Sequence, residues 1–126
     1  MAEAIVYIDR SEIRPGKVED VRRAVGGLVE FIRTREPQLI SYAFYIDEAA
    51  SSMSVVAVHP DSASMELHMR IGGPAFREMA PLIDLQSIEV YGSPSDEVLD
   101  QLQAKALMLG ENARVVVHEP HAGFGR

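Results

Sequence analysis

The chain has 126 residues, twelve basic against nineteen acidic, and a formal net charge of −7. That length suits one hydrophobic core and leaves no room for a second, and the acidic balance argues against partners held through nucleic-acid phosphates, which need concentrated Lys and Arg. Cysteine is absent, which removes disulfides, zinc–thiolate sites, iron–sulfur clusters and a thiol nucleophile together.

Ala4 to Asp9 reads as a first strand in which Ile5 and Tyr7 alternate with Ala4, Val6 and Ile8, so both faces are apolar and both require cover. Pro15-Gly16 breaks the chain before a helix whose Val18, Val21, Val25, Leu28 and Ile32 step by three and four onto one stripe. Gly26-Gly27 in its middle lowers helix propensity by about 1–2 kcal/mol. Close packing against a strand is the expected reason for the pair, with room for a ligand as the other. Pro37 ends the helix near Arg35-Glu36.

Ile40 to Asp47 alternates as a second strand, Glu48 to Ser52 is a polar turn, and Met53 to His59 returns as a third. Asp61 or Ser62 caps a helix from about Ala63 to Ile71. Gly72-Gly73-Pro74 predicts an interruption there, either a simple break or a lid hinge, with a further helical piece over Ala75 to Leu82. Gln86 to Tyr91 forms a fourth strand. Ser93 as cap, Pro94 in the first turn and Asp96 at the capping-box position open a third helix; Val98, Leu99, Leu102, Ala106 and Leu109 are its apolar stripe and Gly110 its stop. Arg114 to His118 is a fifth strand. Residues 1–119 are expected to form a single domain and residues 120–126 a mobile tail.

The order β-α-β-β-α-β, with an added α-β, is the ferredoxin-like arrangement, an α+β fold with an antiparallel sheet and helices on one side. Strands apolar on both faces imply that a second copy covers the free side, so a homodimer is expected. No early segment reads as a signal peptide, because Glu3 and Asp9-Arg10 bracket the short apolar stretch. No apolar run nears the ~20 residues of a membrane span, and with cysteine absent the expectation is a cytoplasmic protein without a membrane partner.

Several short motifs carry a resemblance. They are Pro15-Gly16-Lys17, Glu36-Pro37, Ser41-Tyr42-Ala43-Phe44-Tyr45, Asp47-Glu48, His59-Pro60-Asp61, Ser62 to His68, and Ala75-Phe76. In these the chain resembles the antibiotic-biosynthesis-monooxygenase-like family of dimeric α/β barrels. The resemblance implies a cofactor-independent oxygenase acting on a small hydrophobic or aromatic metabolite; a non-catalytic ligand-binding or dimerisation module is the alternative. His59 stands where the family commonly has an aromatic residue, often Trp. Of the Asn, Trp and His set associated with oxidising and haem-degrading members, only the His has a counterpart, at His68, so haem degradation is not implied. The third helix and fifth strand are extra to the shortest members.

His68 is the candidate catalytic residue: imidazole titrates near neutrality, and the resemblance implies that the second helix packs over the sheet and turns His68 toward the space between them. Its alternative is a half-exposed helix histidine. His59, held extended before Pro60, is expected at the cavity rim as a binding residue, with an inert surface histidine at the strand end as its alternative. Tyr7 and Tyr42 are candidate pocket tyrosines among four that all lie in strands. Met65, Met69 and Phe76 form a soft apolar cluster that suits either a planar ligand or ordinary core filling. His118-Glu119-Pro120-His121 invites a metal reading, but Pro120 spoils the spacing and no metal site is assigned. The resemblance implies no cofactor, and no phosphate-binding glycine loop is present; a Ser-His-Asp triad is not signalled either, since no serine sits in a nucleophile elbow.

Overall fold

The computed structural model describes residues 3–126. In chain order the elements are β1 (Ile5–Ile13), α1 (Val18–Arg35), β2 (Ser41–Asp47), β3 (Ser52–His59), α2 (Ser62–Phe76), a 3-10 turn (Arg77–Met79), β4 (Ile83–Tyr91), α3 (Asp96–Leu109) and β5 (Arg114–His118). The sheet runs β2-β3-β1-β4-β5. It is the expected ferredoxin-like α+β fold, but mixed rather than antiparallel throughout. β5 lies parallel to β4 because α3 carries the chain back across the sheet before it pairs.

β1 is central and organises the rest. Its inward residues Ile5, Tyr7, Asp9, Ser11 and Ile13 are all buried beneath the helices, while Val6 and Ile8 face the other way. The strand continues four residues past Asp9; polar Arg10, Ser11 and Glu12 hide that continuation from a hydrophobic reading. β4 likewise begins at Ile83, three residues earlier than expected. The partner of Arg10 is Ser87 but that of Ser11 is Leu85, so Gln86 is an extra residue. Ile83 and Leu85 therefore point inward on odd positions, Ile88 and Val90 on even ones, and no single period-2 pattern spans the strand.

The α1 stripe is inward as expected, with Val21, Leu28 and Ile32 buried. Gly26-Gly27 is not explained by close packing: a Cβ at either position would meet nothing within 4 Å. α2 also departs from expectation, running through Gly72-Gly73-Pro74 without a break. Gly72 is buried at the contact with α1, where an added Cβ would lie 3.0 Å from Ile32 Cδ1. Burial of Phe76 and Met79 just beyond holds the last turn despite its proline. The cap of α3 is Ser95, not Ser93: Ser95 is extended, its Oγ accepts from the Val98 amide, and its own amide donates to Ser62 Oγ at 2.8 Å.

Beyond β5, residues 119–126 have no regular secondary structure and are exposed. Among the described residues, no helix is long and apolar enough to cross a membrane.

Candidate functional site

A cavity of about 230 Å³ opens between α2 and α3 above the β2 end of the sheet. Met69, Pro74, Phe76 and Met108 supply its apolar walls; Tyr42, His68, Arg77, Gln101 and Lys105 supply its polar groups. Gly72 and Gly73 line it as well, and the bare Cα of Gly72 leaves the space that the His68 ring takes, since a Cβ there would come within 3.2 Å of His68 Cε1.

His68 is oriented from behind. Its Nδ1 lies 3.0 and 2.9 Å from the two carboxylate oxygens of Glu36, a side chain sealed from solvent at the end of α1. An ionised carboxylate only accepts, so Nδ1 donates and neutral His68 carries its lone pair on Nε2. Both side-chain hydrogen bonds of His68 run through Nδ1, so Nε2 has no protein partner among the described residues. Tyr42 packs edge-on against the ring, with centroids 5.3 Å apart. Burial, and then the charges of Asp9 and Glu36, push the Tyr42 hydroxyl far above its ordinary range, so it stays protonated and available as a donor.

A second polar group forms the opposite side. Lys105 Nζ, from α3, donates to Tyr7 OH at 2.7 Å and to Asp9 Oδ2 at 3.1 Å. Tyr7 OH donates to the same Asp9 oxygen. The ammonium sits 4.2 Å above the centre of the Phe76 ring. Burial, and then the neighbouring Asp9 carboxylate, raises the Tyr7 hydroxyl well above its usual value. A carboxylate and an ammonium this far from water persist because each is paired and hydrogen-bonded.

Solved structures share this architecture. MupZ from Pseudomonas fluorescens superposes over 98% of this chain and 95% of its own, with a TM-score of 0.75 at 19% identity. SnoaB, a cofactor-independent oxygenase from Streptomyces nogalater, matches over 75% of this chain and 96% of its own, with a TM-score of 0.61 at 12% identity. A candidate antibiotic biosynthesis monooxygenase from Caulobacter crescentus covers 71% of this chain and 88% of its own, with a TM-score of 0.63 at 15% identity. The chain has the fold of the antibiotic-biosynthesis monooxygenases. No protein-family model matches the sequence and no curated protein does, so the likeness is one of fold.

On this monooxygenase fold, His68, Tyr42, Met69 and Phe76 come together around the cavity. Three other residues singled out from the sequence do not line it. Met65 is buried in the core, because its place near the start of α2 turns it down onto the sheet. Tyr7 lies beneath the cavity and reaches it only through Lys105. His59 is not at a rim: its side chain points inward and is fully buried, with Nδ1 hydrogen-bonded to Ser64 Oγ at 2.9 Å and its ring 5.3 Å from that of His68. Burial, and then the neighbouring His68, lower its pKa to about 4. His118 stacks on Tyr91 and meets Glu89 at 3.2 Å, while His121 is exposed beyond the strand.

Glu36, Asp9 and Lys105 were not recognised from the sequence. Lys105 carried a signal, since it interrupts the α3 stripe three residues after Leu102 and one before Ala106. Asp9 shares the parity of Ile5 and Tyr7, which places it inward. Glu36 stood out only as part of the Glu36-Pro37 motif, with nothing local to mark it as a site residue; the approach of α1 to α2 gives it His68 as a partner.

Proposed function

We propose that the chain is a cofactor-independent enzyme that binds a small hydrophobic or aromatic metabolite between α2 and α3 and deprotonates it at His68. The observation that carries this reading is the pairing of buried Glu36 with His68 Nδ1, which leaves Nε2 without a protein partner among the described residues on a side chain that lines the cavity. A base fixed in one tautomer, backed by a carboxylate that stabilises the imidazolium once formed, is the arrangement general-base catalysis requires.

Removing a proton from an acidic C–H beside a carbonyl or phenol makes an electron-rich carbanion. In an oxygenase, that carbanion gives its electrons to dioxygen, a C–O bond forms, and protonation yields a hydroperoxide. Loss of water from the hydroperoxide leaves a new carbonyl, with one oxygen atom in the product and the other in water. SnoaB, described as a cofactor-independent oxygenase, shares the fold and supplies the reaction type.

Two copies are expected to pair through the sheet face opposite the helices. Val6 and Val58, and Ile8 and Val56, are cross-strand partners on that face, with Ala43 beside Val56. These positions are only partly buried within one copy, and their apolar surface favours cover by a second.

The test is a thermal-shift screen of anthrone- and naphthol-type compounds, followed by oxygen uptake with those that bind. Replacing His68 by Ala should lower uptake by about 10²–10⁴-fold while the oligomer persists. Unchanged uptake removes His68 as the base, and a screen in which no compound binds removes the pocket reading.

A further inference from the structure

We propose that the ligand of this cavity carries an acidic oxygen and binds as the anion, with that oxygen on Lys105 Nζ and Arg77 at the mouth. The inference deepens the preceding reading by naming the chemical class of the ligand, and it rests on the cavity being the binding site.

The chain has more acids than bases by seven, yet the cavity wall holds two cations, Arg77 and Lys105, and no carboxylate. Glu36 lies behind the His68 ring and is sealed from solvent. Asp9 lies under Lys105 and is likewise sealed. The Asp9 carboxylate offsets much of the Lys105 charge, so Arg77 is the uncompensated cation among the described lining residues, and an uncompensated charge at the mouth of a cleft favours ligands of the opposite sign.

Lys105 is built to serve such a ligand. An ammonium has three donors. Two are used, on Tyr7 OH and Asp9 Oδ2, which fixes the direction of the group. The third has no protein acceptor among the described residues, on a side chain nine-tenths buried at the cavity wall. The Phe76 face is a weaker partner for that donor than an oxygen, and an incoming oxygen anion would give it a charge-assisted hydrogen bond. Arg77 makes no ion pair among the described residues, so its charge is free to act at the mouth. The apolar walls, with Phe76 under the ammonium, take the hydrocarbon body. With His68 on the α2 wall and Lys105 on the α3 wall, a carbon acid would have its oxygen polarised from one side and its proton taken from the other.

Two sources of the anionic oxygen are separable. Isothermal titration at neutral pH compares 2-naphthoate with 2-naphthamide, and 4-hydroxycoumarin, an acidic enol, with its O-methyl ether. At least one anion should bind about 10-fold or more tightly than its neutral twin, the worth of a charge-assisted hydrogen bond. A preference in the first pair indicates a carboxylate; a preference in the second indicates an enolate. Lys105→Met should abolish the preference. Because Lys105 is buried and that variant risks the fold, Arg77→Glu at the exposed mouth is the companion. It should weaken the anion by roughly 10-fold and spare the neutral twin.

Neutral twins that bind as well as the anions overturn the proposal, as does an Arg77→Glu variant that weakens both members of a pair equally. If none of the four compounds binds, this inference falls together with the pocket reading. If the anions are preferred but His68→Ala leaves turnover unchanged, the base assignment fails and this inference stands.

Discussion

Acidification should destabilise this fold through His59 before most carboxylates are protonated. The side chain is fully buried and close to a second histidine, and its pKa falls from the ordinary 6.5 to about 4. Burial is the larger cause; repulsion from His68 adds to it, and Asp61 partly opposes it. Above 6.5 neither the folded nor the unfolded chain holds the proton, so His59 contributes no pH dependence. Between 6.5 and about 4 only the unfolded chain takes it up, and stability falls as the pH falls. The folded state loses about 2 kcal/mol at pH 5 and about 3 kcal/mol at pH 4 from this group alone. Urea unfolding followed by far-ultraviolet circular dichroism suits a chain without tryptophan, at fixed protein concentration because dimerisation would shift the midpoint. His59→Gln keeps a polar side chain for Ser64 but cannot titrate. The variant should therefore lose about 3 kcal/mol less than the parent between about pH 7.5 and pH 4. Parallel stability curves for the two proteins, or an NMR titration of His59 centred near 6.5, would refute this reasoning.

Three further outcomes follow from named positions. Gly27→Ala should stabilise the chain by about 1 kcal/mol in thermal or urea unfolding, since the site is helical and its Cβ meets open space. Gly110→Ala should destabilise by about 2 kcal/mol or more on the same assays, because its Cβ would press into the Leu85 carbonyl oxygen and backbone has nowhere to give. Glu36→Gln should release the His68 tautomer: nitrogen NMR should find the proton largely on Nδ1 in the parent and redistributed in the variant, with turnover lower by about 10²-fold or more.

Much of the fold was legible because its cues are local. The α1 stripe, the β2–β3 hairpin and β5 follow from side-chain periodicity that needs no knowledge of neighbours. Where expectation failed, a long-range contact had overridden a local preference. Gly72-Gly73-Pro74 looks like a break, but packing against Ile32 and burial of Phe76 keep α2 intact. β4 looks short because its bulge moves the inward residues from odd to even positions, a shift visible only against β1.

The candidate site divides in the same way. Sequence alone determined that a histidine and a run of soft apolar residues would sit on α2, since residue identity and helical spacing are one-dimensional facts. Tertiary structure decided which of them face the cavity, and it assembled the groups that give His68 and Lys105 their chemistry. Glu36 stands 32 residues from His68, and Lys105 stands 98 from Tyr7 and 96 from Asp9. A carboxylate, an ammonium or an imidazole acquires its orientation and its charge environment from whatever the fold packs against it. At such separations along the chain, only the crossing of α1, α2 and α3 over one sheet supplies those partners.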